Sequence, residues 1–425
     1  MAFGASVEQL VRKRLGLFAW AVGGFVVAVA AYFLIADTDD YDNCNSMLVA
    51  QEYDKAIILC DIRLQSEDLT DEQRAAAFVN RGLAYFAKGE DDHALADYDR
   101  AIQLKPDFDS AYVRRGLAYH DRGEYGRAIA DFDEAIRLRP DSADARDGRA
   151  SAAYQNGDYG DALRDLDWLV AQKPRDVLTL IKRASTYSKL DDHDRAIADI
   201  DRAMELSPDD AVVWYARGTT YFIKGDFDRA FEAYDRAIAL KPDMADFYLG
   251  RGGIHVIRNN LDLAMADYDK AVKLKSDDAR LWRLKGLAEF LNADYDLAVR
   301  AFARSQKIKR TDLYNIVLLH LARRHVNGKG ITDQDADNID LGKWPGPIVL
   351  YFLGRISKEE AIRAADDADA RIARPRQCEA EYYVGQLDLA EGRLGEARQR
   401  FEHDLRICPP SLLEMSGARV ALSRM

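Results

Sequence analysis

One internal period constrains this chain more than any other feature. Aligned every 34 residues, the stretch from residue 75 to residue 312 repeats itself seven times. A small residue recurs as Gly82, Gly116, Ala150, Ala184, Gly218, Gly252 and Gly286, and an alanine as Ala94, Ala128, Ala162, Ala196, Ala230, Ala264 and Ala298. Four residues after each alanine stands a large knob: Tyr98, Phe132, Leu166, Ile200, Tyr234, Tyr268 and Phe302. Pro106, Pro140, Pro174, Pro208 and Pro242 close five of the units. Two short antiparallel helices approach closely only where the facing side chains are small, and the large residue fills the gap to the next pair. Proline stops the second helix, and turns such as RGEYGRA supply glycine for the corner between helices. Such units cannot bury their apolar faces alone, so they stack, and the chain grows as a solenoid rather than as separate globules.

This pattern resembles the tetratricopeptide-repeat (TPR) family over most of residues 37–312. The fold class expected is all-α, a right-handed TPR-type solenoid preceded by one transmembrane helix. The layout is residues 1–14 as a short N-terminus, 15–36 as a membrane helix, 37–74 as a degenerate first hairpin and 75–312 as seven units. Residues 313–375 follow as an irregular helical insert, 376–409 as a last TPR-like hairpin and 410–425 as a capping helix.

A charge ladder shares the register. Arg81, Arg115, Arg149, Arg183, Arg217, Arg251 and Lys285 each precede the small residue of the first helix. Asp99, Asp133, Asp167, Asp201, Asp235 and Asp269 recur on the second helices, and the seventh unit has Ala303 at that place. Loss of arginine and aspartate together reads as structural pairing across the hairpin rather than a basic stripe for a ligand, and bidentate geometry suits arginine there.

Residues 15–36 form an uncharged run of 22 residues, which as a helix spans roughly 33 Å, enough for a bilayer core. Arg12, Lys13 and Arg14 precede it, and Asp37, Asp39 and Asp40 follow. Its length favours an uncleaved signal anchor over a signal peptide. The charge bias then places the solenoid across a bacterial inner membrane, in the periplasm. The four cysteines agree with that expectation. Cys44 and Cys60 are equidistant from the turn of the first hairpin, and Cys378 and Cys408 from that of the last. Each pair is positioned to form a disulfide, as suits an oxidising compartment.

Beyond residue 312 the period breaks. A helix over 312–326 leads to a polar stretch whose Asp333, Asp335 and Asp337 mimic a calcium loop. Asn338 stands where that loop needs glycine and Trp344 where it needs glutamate, so it reads as a linker. Two short helices are expected at 344–357 and 358–374, and Gly385, Ala397, Phe401 and Pro409 then restore the register. The order WPGPIVLYFLGRIS, CEAEYYVGQLDLAEGRLGEARQRFEHDL, EMSGARVALSRM resembles the C-terminal part of new lipoprotein I (NlpI)-like bacterial envelope TPR adaptors. That resemblance implies an adaptor joining a processing protease and peptidoglycan hydrolases, in some cases as a homodimer. This chain differs in having a membrane helix in place of a lipidated cysteine, and more regular repeats.

The net charge of -12, with basic and acidic residues mixed, offers no contiguous basic face for nucleic acid. None of the seven histidines lies in an HExxH motif, and no nucleophile elbow, phosphate loop or metal-ligand spacing is present, so no catalytic residue, cofactor or metal is expected. Partners are other proteins, held as a peptide or helix. First helices line the concave face of a TPR array, which places Val79, Phe86, Val113, Leu117, His120 and Tyr154 in the groove. Tyr215, Phe222, Leu249, Arg283 and Phe290 continue it. Aromatic anchors there supply most of the affinity. The function expected is a membrane-anchored periplasmic adaptor, with a scaffold subunit of a secretion or division assembly as the alternative.

Overall fold

A computed structural model describes residues 42–409 and 413–425 of the chain. Its helices group into two compact units, one ending at Gln172 and the other running from Lys173 to Met425. Among the described residues the regular structure is entirely helical.

The first unit begins with α1 (Asp42–Val49) and α2 (Tyr53–Leu64). Three hairpins follow: α3 (Asp71–Ala87) with α4 (Asp91–Leu104), α5 (Asp109–Asp121) with α6 (Tyr125–Leu138), and α7 (Ala143–Asn156) with α8 (Tyr159–Gln172). The second unit continues with α9 (Val177–Lys189) and α10 (His193–Leu206), α11 (Ala211–Lys224) and α12 (Phe227–Leu240), α13 (Ala245–Ile257) and α14 (Leu261–Leu274), and α15 (Ala279–Leu291) and α16 (Tyr295–Ile308). Then come α17 (Leu313–Asn327), a short 3-10 turn, α18 (Gly346–Phe352), α19 (Lys358–Arg363), α20 (Ala370–Ala390), α21 (Leu394–Ile407) and α22 (Leu413–Arg424). The helix expected over 358–374 is therefore two pieces. After a break at residues 364–369, α20 runs through Pro375 into the last hairpin.

Where the small residue is glycine, the hairpin is locked by a ring set against a backbone. A Cβ added at Gly82 would lie 2.6 Å from the Tyr98 ring, at Gly116 2.9 Å from Phe132, at Gly218 2.6 Å from Tyr234, and at Gly286 2.8 Å from Phe302. Gly385 stands in the same relation to Phe401. Where the small residue is alanine, at 150 and 184, the knob shrinks to Leu166 and Ile200. The pair thus conserves volume within each unit, as a close-packed interior requires.

The corners obey the same period. Left-handed φ angles fall at Gly89, Gly123, Gly157, Asp191, Gly225, Asn259 and Ala293, each 34 residues from the last. Glycine occupies this conformation without steric penalty, whereas Ala293 at φ 67° presses its Cβ on its own carbonyl.

The charge ladder is structural, but its register differs from the sequence expectation. In five units the hairpin partner of the arginine is the aspartate two residues earlier than anticipated. Arg115 donates to both oxygens of Asp131 at 2.8 and 2.7 Å, and Arg251 to those of Asp267 at 2.9 and 2.7 Å. Arg81–Asp97, Arg149–Asp165 and Arg183–Asp199 repeat the arrangement, and all five carboxylates are buried. The anticipated aspartates serve the next hairpin instead: Asp99 accepts from Arg115 at 2.5 Å, Asp133 from Arg149 at 2.5 Å and Asp235 from Arg251 at 2.7 Å. Alternate residues on a helix face different neighbours, which is why a D-x-D pair can bridge two hairpins. In the fifth unit Ala233 replaces the buried aspartate, and Arg217 rests over the Trp214 and Tyr221 rings. In the seventh unit Lys285 pairs with Asp269 and Glu289.

Both cysteine pairs are disulfides. The Cα atoms are 5.4 Å apart for Cys44–Cys60 and 5.8 Å for Cys378–Cys408, each within bridging range.

The placement as a single-pass inner-membrane protein is corrected. No helix among the described residues is long and apolar enough to cross a membrane. Even α20, with 21 residues, carries Arg374, Arg376, Glu379, Glu381 and Asp388. Residues 15–36, on which the expectation rested, lie outside the described residues.

Two substitutions test the packing account. Gly286→Ala should destabilise by about 1–3 kcal/mol, and combined with Phe302→Leu the total should fall at least about 1 kcal/mol below the sum of the single changes. Urea denaturation of the four proteins of that cycle measures the coupling. Ala293→Gly should raise stability by roughly 0.5–1 kcal/mol, read as an upward shift in the thermal midpoint.

Candidate functional site

In the second unit the first helices of successive hairpins line a pocket of about 420 Å³. Tyr215, Thr219 and Phe222 come from α11, Leu249, Gly250 and Gly253 from α13, and Arg283, Leu284 and Leu287 from α15. These positions recur every turn or so of each helix, which is why they share one face. The knobs Tyr234 and Tyr268 show through between helices, and Leu318, Tyr383 and Glu414 close the far wall.

The floor is aromatic and fixed. The Tyr215 ring lies 5.2 Å from that of Phe247 and 5.7 Å from that of Tyr234, whose hydroxyl bonds Thr219 at 3.3 Å. Phe222 meets Phe227 edge-on at 5.6 Å. Rings held in this way present apolar area with little entropy left to lose on binding.

The wall exists because the C-terminal block folds back. The α22 helix packs against α21 and α20 and also reaches α13 and α15, the first helices of the sixth and seventh units. Gly417 allows the close approach, since a Cβ there would lie 2.3 Å from the Tyr382 hydroxyl. Arg424 donates to the Leu291 carbonyl at 2.5 Å and ties down the end of the helix.

This return brings two acids close to the pocket. Glu414 accepts from the Tyr383 hydroxyl at 3.1 Å. Glu379 accepts from Trp344 Nε1 at 2.5 Å and from the Tyr314 hydroxyl at 3.2 Å. Burial, reinforced by the neighbouring Glu414 charge, lifts the Glu379 carboxyl to about 7 against the pull of those two donors. Burial also raises Glu414, opposed by a backbone hydrogen bond, the Tyr383 hydroxyl and Arg283. Arg283 itself is held by Asp312, with Nε 3.1 Å from a carboxylate oxygen.

Of the residues expected in the groove, Tyr215, Phe222, Leu249 and Arg283 come together in this pocket. Val79 and Val113 are instead buried in the packing between helices of the first unit, Val79 in the cluster around Tyr98 and Val113 in that around Phe132. Phe290 is also buried, with its ring against Tyr295 and His325. Phe86, Leu117, His120 and Tyr154 are half-buried in the first unit, His120 within 3.3 Å of Asp121 and Tyr154 edge-on to Tyr159. His320 accepts from the Ile331 amide, stacks on Phe352 and is pushed down to about 3 by burial, so it is a neutral packing residue. In the calcium-like stretch, Asp335 accepts from Thr332 and Arg323, and Asp333 from Arg355.

Family models match the repeat. A TPR repeat model matches residues 82–121 and 116–157, and a tetratricopeptide repeat model matches 148–211, 181–245, 215–279 and 258–312. Together they run unbroken from residue 82 to 312, more than half of the chain.

The chain belongs to the tetratricopeptide-repeat family.

As a TPR protein it has the fold of an interaction scaffold. The crystal structure of a tetratricopeptide repeat protein from Parabacteroides merdae aligns with 58% of this chain and 98% of its own, at 19% identity and a TM-score of 0.52. YrrB, described as a TPR protein with an unusual peptide-binding site, aligns over 43% of this chain and 93% of its own, at 23% identity and a TM-score of 0.37. PilF of Pseudomonas aeruginosa aligns over 49% and 94%, at 19% identity and a TM-score of 0.38. A comparison with curated proteins returns no match. The narrower likeness to NlpI-type adaptors is not confirmed by these comparisons.

The acid pair makes a pH test. The folded-state affinity of Glu379 for its proton is raised, so ionising it works against folding, and its share of stability is lost as pH rises from about 4.5 to about 7. Glu379→Gln should remove that loss. Its stability relative to the parent should grow by on the order of 1–3 kcal/mol across this window, measured by urea denaturation at several pH values.

Proposed function

We propose that this TPR protein is an adaptor that holds partner proteins in the aromatic groove of its second unit, as an extended peptide or a helix. The observation that carries the reading is the pocket itself: apolar rings and leucines from three consecutive hairpins, with a few polar groups at one wall, in a fold built for protein contacts. Tyr215, Phe222 and Leu249 are the anchoring contacts, and Arg283 marks the polar end. The resemblance of the C-terminal block to envelope adaptors narrows the partner to a protease or a peptidoglycan hydrolase brought to its substrate. Binding rather than turnover is the role of this geometry, because the acids near the groove are tied to tyrosine and tryptophan donors.

The test is affinity capture with the full chain and two variants. Phe222→Asp combined with Leu249→Asp should lower recovery of bound proteins about tenfold or more, because truncating anchors in a desolvated patch costs about 2 kcal/mol each. Arg300→Glu, on an exposed surface of α16, should leave recovery unchanged. Equal recovery by all three proteins overturns the groove reading. Capture of membrane-complex subunits at a fixed ratio would identify a structural subunit instead of an adaptor.

A further inference from the structure

The pocket contains one residue that the packing does not require. Gly253 lies within α13, and a Cβ built on it meets nothing nearer than Phe222 at 3.9 Å and the Tyr268 hydroxyl at 4.0 Å. Glycine inside a helix destabilises it relative to alanine, because the unfolded chain gains freedom that folding must remove. Its neighbours Gly250 and Gly252 are explained by packing, since a Cβ on either would stand 2.7 Å from a tyrosine ring. At the place of Gly253 the other units carry Leu83, Leu117, Ser151, Ser185, Thr219 and Leu287. The bare backbone at 253 therefore deepens the groove beside Phe222 and Tyr268 at a cost to helix stability. Close approach of a ligand to the backbone is the use to which such a glycine is suited.

A second observation concerns charge. Glu414 lines the same pocket, and among the described residues no lysine or arginine nitrogen lies within ion-pair distance of Glu414 or Glu379. The nearest candidate in the pocket, Arg283, is engaged by Asp312 at 3.1 Å. A half-buried carboxylate with one hydroxyl partner, that of Tyr383, but no cation is incompletely compensated, and a cation brought by a ligand would complete it. The wall is thus complementary to positive charge.

We propose that this pocket is a subsite for a partner-protein segment in which a large apolar side chain, seated over Gly253, is followed closely by a lysine or arginine that pairs with Glu414. The inference rests on the groove reading above and specifies its ligand. The apolar side chain contacts Tyr215, Phe222, Tyr268 and Leu287, and the basic head group exchanges water for the Glu414 carboxylate.

Selection of random dodecapeptides displayed on phage against the immobilised full chain tests it, with the selected peptides then synthesised and titrated by fluorescence anisotropy. Enriched peptides should carry Leu, Met, Phe, Tyr or Trp beside Lys or Arg. Gly253→Ala should raise the thermal midpoint by about 1–3 °C and yet weaken these peptides at least about threefold. Gly253→Leu should weaken them about tenfold or more with unchanged helical circular dichroism, and Glu414→Gln should weaken the basic peptides about tenfold while sparing analogues with norleucine in place of lysine. Peptides that lose binding to the Phe222→Asp, Leu249→Asp variant but bind the Gly253 and Glu414 variants like the parent would overturn the subsite and leave the groove reading standing. A selected preference for acidic peptides would overturn it equally. If no peptide is enriched, both readings fall.

Discussion

Everything in this molecule depends on how closely two helices can approach, and one contact sets that distance. A ring, or a smaller branched knob, from the second helix of each hairpin rests on a residue of the first helix that carries no side chain or a single methyl. The reciprocal change of Gly to Ala and aromatic to Leu or Ile shows that the approach is a volume constraint and not a preference for particular residues. Once the approach is fixed, the arginine of the first helix reaches a buried aspartate of its own hairpin and an exposed one of the hairpin before it. The groove positions follow from the same geometry, because they are the face of the first helix left over when packing is satisfied.

How much of this could be read from the sequence depends on whether the information was periodic. The hairpins, the corner at each thirty-fourth residue and the two disulfides were legible, since each rests on spacing alone. The ladder was legible as structure but misplaced by two residues. Spacing cannot distinguish the two aspartates of a D-x-D pair, and only the faces they present in three dimensions separate Asp131 from Asp133. Val79 and Val113 were placed in the groove because their register matches that of Tyr215, and Phe290 because its register matches that of Phe222, yet each is buried by neighbours that the register does not encode. The far wall was not legible. Leu318, Tyr383 and Glu414 come from beyond the seventh unit, and nothing in the repeat shows that the last helix turns back onto the sixth and seventh units.

That returning helix changes the chemistry of the groove. A bare array of first helices offers an apolar strip open along its length. Here the strip ends at a wall bearing Tyr383 and Glu414, with Glu379, Trp344 and Tyr314 behind it. The wall gives the site an end and a sign of charge, the two properties by which an apolar groove can choose among partners. It also makes the C-terminal block one wall of the pocket and not only a cap.

The ladder has a further consequence for how the array holds together. Each arginine that bonds two aspartates ties its hairpin to its predecessor, so most neighbours are coupled like links in a one-dimensional chain. Two units have an incomplete ladder: the fifth, where Ala233 leaves Arg217 on aromatic rings, and the seventh, where Lys285 keeps Asp269 of the preceding hairpin but has no buried aspartate in its own. The pocket is lined by the hairpins from the fifth to the seventh, so it includes both of these units. Local opening in a repeat protein concentrates where neighbour coupling is least. Within the second unit, the proposed groove therefore lies on the hairpins whose ladder is least complete, where local opening costs least.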